Sequence, residues 1–106
     1  MAAADNVGER WFEAERHRLR GELLLALSAD YQAEAETWLR QALAIAHRQQ
    51  VKSLELRAAM SLARLWQQQG KRAEARELLA PVYGWFTEGF NTADLQEAKA
   101  LLDELA

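Results

Sequence analysis

The chain has 106 residues, half of them hydrophobic, no cysteine and a formal net charge of −3. That length supports one domain with a packed core. The missing cysteines exclude a disulfide framework or thiolate metal site and fit a reducing cytoplasm, the interleaved acids and bases speak against a nucleic-acid binder, and no apolar run approaches the ~18–20 residues of a bilayer span.

Ala, Leu, Glu, Arg and Gln dominate, with one Pro and five Gly, which favours helix throughout. Residues 1–8 are small and polar without a period; they carry no apolar leader and read as a disordered lead-in to a single domain over 9–106. A first helix is expected from Glu9 to Leu27, with Phe12, Leu19, Leu23, Ala26 and Leu27 as its buried stripe. Gly21 inside it costs about 1 kcal/mol relative to Ala, which points to close packing against a neighbouring helix. After Ser28, Asp30 is the expected N-cap of a helix over Tyr31–Gln49, with Ala35, Trp38, Leu39, Ala42, Leu43 and Ala46 on its buried face. His47 and Arg48 in its last turn suit the helix dipole.

The stretch Leu54–Leu79 is the clearest unit. Ala58, Ala59, Leu62, Leu65 and Trp66 form one helical stripe, Gly70 stops it, and Ala75, Leu78, Leu79 and Val82 form a second stripe after the turn. The preceding hairpin repeats the plan: Ala33, Glu34, Ala35 and Leu39 match Ala73, Glu74, Ala75 and Leu79 at an offset of 40, with a first turn about two residues longer. Pro81 then predicts a kink or a break. Tyr83, Trp85, Phe86 and Phe90 form an aromatic cluster that is either an exposed patch or the seat of a last helix, which follows Gly89 and is capped by Asn91 or Thr92. Leu95, Ala98, Leu101, Leu102 and Leu105 are its buried face, and Gln96, Glu97, Lys99, Asp103 and Glu104 its wet one.

This spacing resembles a tetratricopeptide repeat. Leu62-Ala63 stand at its Leu-Gly position, Trp66 at its aromatic position, Gly70 at the turn, Ala75 at the small position and Leu79 at the large apolar position of the second helix. The segments LRGELLLAL and AEARELLAPVYGWFTEGFNTADLQEAKALLDEL are further similar to the C-terminal tails of large bacterial signalling proteins, which join a nucleotide-cyclase or DNA-binding output domain to a STAND-like ATPase and helical repeats. In such tails Gln50 often has Gly as its counterpart, so the turn at Gln49–Lys52 is expected to be strained or differently shaped. The resemblance implies an all-α, tetratricopeptide-like fold of two antiparallel helical hairpins plus a C-terminal capping helix, five helices in all. It assigns no cyclase or ATPase residue to this chain.

No catalytic constellation emerges. Gly70-Lys71 lacks the Ser/Thr and the upstream Gly of a phosphate loop, His17 has no second His at ligand spacing and reads as solvated, and most carboxylates lie a turn from an Arg or Lys. No enzyme activity, cofactor or metal is expected, and no nucleic-acid or membrane partner. The expected function is a non-catalytic module that binds a protein or peptide in a concave groove. Glu15, Arg18 and Glu22 of the first helix and Arg57, Met60, Arg64, Gln67 and Gln68 of the third would line it. In the competing reading, Glu15 and Glu22 pair internally with Arg57 and Arg64. The alternative function is a structural end cap or self-association module of a longer solenoid, with dimerisation through apolar surfaces near Trp11 and Phe12.

Overall fold

The structure is a computed structural model that describes the backbone of residues 2–86 and 92–106, and side chains from residue 12 onward within those ranges. The described residues are helical: α1 (Ala2–Leu27), α2 (Gln32–Gln49), α3 (Lys52–Gln68), α4 (Arg72–Trp85) and α5 (Ala93–Leu105), with a 3-10 turn over Ala29–Tyr31. None of these helices is long and apolar enough to cross a membrane. The first helix starts at Ala2 rather than near Glu9, so the expected lead-in is helical from its second residue.

Each helix packs on its successor across a short link. α1 comes within 8 Å, Cα to Cα, of α2 and α3 but not of α4 or α5; α3 approaches all four others; α5 approaches only α3 and α4. The links explain themselves locally. Ser28, not Asp30, is the cap at the first one: its Oγ accepts from the Asp30 N–H at 3.1 Å and starts the 3-10 turn, so α2 begins at Gln32. At the end of α2, Gln50 takes a left-handed φ of 59° while Val51 N–H bonds back to Ala46 O at 3.0 Å. Gly70 (φ 80°) does the same at the end of α3, with Lys71 N–H to Trp66 O at 2.8 Å. Glycine reaches this region without a Cβ penalty, whereas glutamine does not. Gln50→Gly is therefore expected to stabilise the fold by about 0.5–1 kcal/mol, read as a rise in urea midpoint at unchanged slope.

The core is one chain of contacts centred on α3. Leu54 packs with Ala14, Ile45 and Ala46; Leu62 and Leu65 pack with Leu39; Leu56, Ala59, Met60 and Ala63 pack with Ala75 and Leu79 of α4 and Leu95, Ala98, Leu101 and Leu105 of α5. Ala35 and Ala75, one in each hairpin, are fully buried, as their small size at a helix crossing requires. α4 runs through Pro81 to Trp85 without the break that was one expectation. Thr92 caps α5, its Oγ1 accepting from Leu95 N–H at 3.3 Å. Tyr83 and Phe86 pack against the α4–α5 core as a seat for that helix, while Trp85 stays exposed with the Lys52 ammonium 5.2 Å from its ring centre. Gly89, Phe90 and Asn91 lie outside the described residues.

The stripe expected to be buried on α1 is not. Phe12, Leu19, Leu23 and Leu27 are 58, 53, 60 and 65% exposed, and Ala26 is exposed with them. The face that α1 turns inward carries Ala14, Gly21 and the half-buried Leu24 and Leu25. Gly21 sets this choice, since an added Cβ would sit 2.8 Å from Leu39 Cγ and 3.1 Å from the Ala35 carbonyl oxygen. α2 approaches so closely there that the helix is anchored by its small face and its large apolar residues point away.

Candidate functional site: two faces of the helical row

α1, α3 and α5 lie side by side and present one polar face. On α1, Glu15, Arg18 and Glu22 recur at helical spacing. Arg18 donates to both carboxylate oxygens of Glu15 at 2.8 and 3.1 Å, and it reaches Glu22 Oε2 at 3.7 Å. Ser61 of α3 sits between them, donating to Glu22 at 3.2 Å and accepting from Arg18 at 3.4 Å. Arg57 bridges outward in both directions, to Glu15 Oε2 at 3.0 Å and to Asp94 Oδ2 of α5 at 3.0 Å. Arg64 pairs with Glu97 at 3.3 Å, and Gln67 donates to Glu104 at 3.0 Å. Arg72 donates to the Glu104 carbonyl, placing a cation at the C-terminal end of α5 where the helix dipole favours it.

The internal pairing foreseen for this face forms in half. Glu15 meets Arg57, but Glu22 stays with Arg18 and Ser61, and Arg64 turns to α5. Met60, read as a groove residue, is 3% exposed and belongs to the core beneath. Gln68 is exposed. The acids of α5 were the missing signal. Asp94, Glu97 and Glu104 recur at three- and seven-residue intervals, the spacing that faces a basic helix alongside. This face holds a polar pocket of about 230 Å³ among Arg18, Arg57, Ser61 and Arg64, and a cleft of about 360 Å³ beside Arg64, Gln67 and Gln68.

Glu15 is buried, and burial pushes its carboxyl up. The hydrogen bonds and charge of Arg18, with those of Arg57, outweigh this and hold it below its ordinary value of 4.5. The folded chain thus gives up this proton more readily than the unfolded one. The stabilisation is complete above that value and is lost as the pH falls through the lowered one. Acid titration followed by circular dichroism is expected to show stability falling below about pH 4.5, with a flatter profile in Arg18→Ala.

The two histidines have structural places. His17, expected in solvent, is half-buried, its Nδ1 2.8 Å from the Glu13 carbonyl and its ring 5.0 Å from Trp38. His47 is exposed and lies 3.0 Å from Glu55 Oε2. Glu55 is buried at 7% exposure, with Lys52 3.3 Å away on its other oxygen. On the side away from the polar face, Leu43, Leu62, Trp66, Leu78 and Val82 line an apolar cleft of about 330 Å³ between α2 and α4.

The second face is the outer side of α1. Leu19, Leu23 and Leu27 follow at four-residue steps, and Arg16 and Arg20 run along one edge. The Arg20 guanidinium lies 4.8 Å from the Trp38 ring centre, while Arg16 has no ion pair among the described residues. At the opposite end of the molecule the outer side of α5 is polar, with Gln96, Lys99 and Asp103 exposed. Comparison of the chain with protein-family models, with curated proteins and with solved structures finds no match.

Proposed function

We propose that the chain is a non-catalytic, tetratricopeptide-like interaction module that closes a helical stack at α5 and docks a protein partner on the outer face of α1. Its sequence resembles the tails of large bacterial signalling proteins that carry a STAND-like ATPase and helical repeats. The helix order supports the stacked reading over a closed four-helix bundle: α1 approaches α3 but not α4, as side-by-side hairpins require and a closed bundle does not.

The observation that carries the proposal is a correspondence between α1 and α3. Allowing for the longer first turn, a shift of 42 lays Gly21 on Ala63, Phe12 on Leu54, Arg20 on Leu62 and Leu23 on Leu65. In α3 Leu54, Leu62 and Leu65 form the face that packs backward onto α1 and α2, through Ala14, Leu25, Leu39, Ile45 and Ala46, while Ala63, like Gly21, meets the second helix of its own hairpin. In α1 Leu23 holds the place of Leu65 and is 60% exposed, and Leu19 and Leu27 beside it are 53 and 65% exposed. An uncovered row of leucines in the position of a stacking surface is what a docking helix presents, and a polar outer face is what a terminal helix needs.

The test pairs Leu19→Glu with Leu23→Glu. Both side chains are exposed, so the double variant should keep its helicity and melt within a few degrees of the parent, yet lose the proteins that the parent captures in a pull-down. Unchanged capture would remove the α1 face from the proposal. A second reading, a peptide held along the polar face, is favoured by the open cleft beside half-exposed Arg64 and Gln68. Arg57→Ala combined with Arg64→Ala eliminates it if every captured partner is retained.

A further inference from the structure

The occupant of the α1 face follows from charge and register. We infer that it is a second copy of this chain, its α1 lying antiparallel across the first with Leu23 on the two-fold axis; the inference rests on the reading of α1 as a docking surface. Head-to-tail stacking of copies is closed off, because the far end of the molecule is the polar outer side of α5. A two-fold pairing of α1 with itself uses one patch twice and needs no other surface.

Antiparallel order is set by Arg16. In a parallel pair Arg16 would meet Arg16 of the other copy at the same height, and like charges oppose association. With the axis at Leu23, each Leu19 faces Leu27 of the other copy. Arg16, seven residues before the axis, then lies toward the turn that follows Leu27 of the other copy. Asp30 is exposed in that 3-10 turn and, like Arg16, has no ion pair among the described residues. This register sets leucine on leucine along the seam and gives both charges a partner. Complete covering of the exposed parts of Phe12, Leu19, Leu23, Leu27 and Tyr31, between 42 and 65% of each, would remove roughly 1,000 Å² over the two copies, the lower bound of specific interfaces.

The sequence has no cysteine, so single substitutions report on the pairing directly. Light scattering on the unaltered chain at about 100 μM is expected to give twice the 12.1 kDa of one copy. Under mild oxidation Leu23→Cys should form a disulfide-linked dimer in most of the protein, whereas Asp103→Cys on the outer side of α5 should not. A mixture of Leu19→Cys and Leu27→Cys chains should cross-link to each other in preference to themselves. Arg16→Asp should weaken dimerisation about tenfold, and adding Asp30→Arg to the same chain should restore it. A 12.1 kDa species throughout overturns the inference, and so does a dimer in which Leu23→Cys and Asp103→Cys link equally. If the chain is a monomer but Leu19→Glu with Leu23→Glu abolishes capture of another protein, the second copy is excluded and the docking face stands. If that double variant changes neither mass nor capture, both fall.

Discussion

Gly21→Ala is expected to destabilise the fold by about 1–3 kcal/mol, the opposite of what the substitution does in an open helix. Helix propensity alone would favour Ala here by about 1 kcal/mol. The new methyl carbon would lie 2.8 and 2.9 Å from Leu39 Cγ and Cδ2 and 3.1 Å from a backbone oxygen of Ala35, closer than packed atoms tolerate. Leu39 is fully buried and cannot swing aside without pushing on Leu62 and Leu65. The strain must therefore move α1 off α2. The measurement is a urea melt beside Gly84→Ala, a helical position where an added Cβ meets nothing within 4 Å. If Gly21→Ala stabilises as much as Gly84→Ala, the close approach of α1 and α2 is wrong.

Leu101→Ala is expected to cost about 2–5 kcal/mol. Leu101 is 4% exposed and packs with Leu56, Met60 and Ala98 in the cluster that joins α5 to α3 and α4. A 13-residue helix does not persist alone in water, so α5 depends on this contact for its own helicity as well as for its position. The loss should thus carry two signatures: a lower melting temperature and early exchange of the α5 amides. Ala in place of exposed Asp103 serves as the reference for a change on the same helix that touches no core. Equal effects of the two substitutions would mean that α5 is not seated as described.

The elements readable from sequence were those governed by neighbours in the chain. Gly70 stops α3 and Thr92 caps α5 because each acts on backbone groups within four residues. Ala35, Leu39, Ala75 and Leu79 fall on buried faces because helical period fixes their angle. The α1 stripe was readable as apolar and periodic, but period does not say which of two faces meets a neighbour. That was decided by the missing side chain at Gly21 and the bulk of Leu39 across from it. The polar face failed in a similar way. Arg57 and Arg64 stand out in the sequence as cations on one side of α3, whereas Glu97 reads as a water-facing residue of α5 and Asp94 carries no signal of its own. Only the placement of α5 beside α3 turns these into pairs, 37 and 33 residues apart. Met60 was misplaced because it stands one turn from both arginines; its flexible thioether fills the gap beneath them.

The order of contacts along the row also bears on how the chain comes apart. α1 leans only on α2 and α3, and α5 only on α3 and α4, while α3 is held from every side. Opening one end therefore leaves the other end's contacts intact, and the free energy of opening is a sum of nearest-neighbour steps rather than a single global event. Amide protection should be graded, highest in the middle of α3 and falling toward both outer helices. Folding has no long loop to close before its first reward, since every large contact is between helices adjacent or next-adjacent in sequence, which places this chain among the fast-folding topologies.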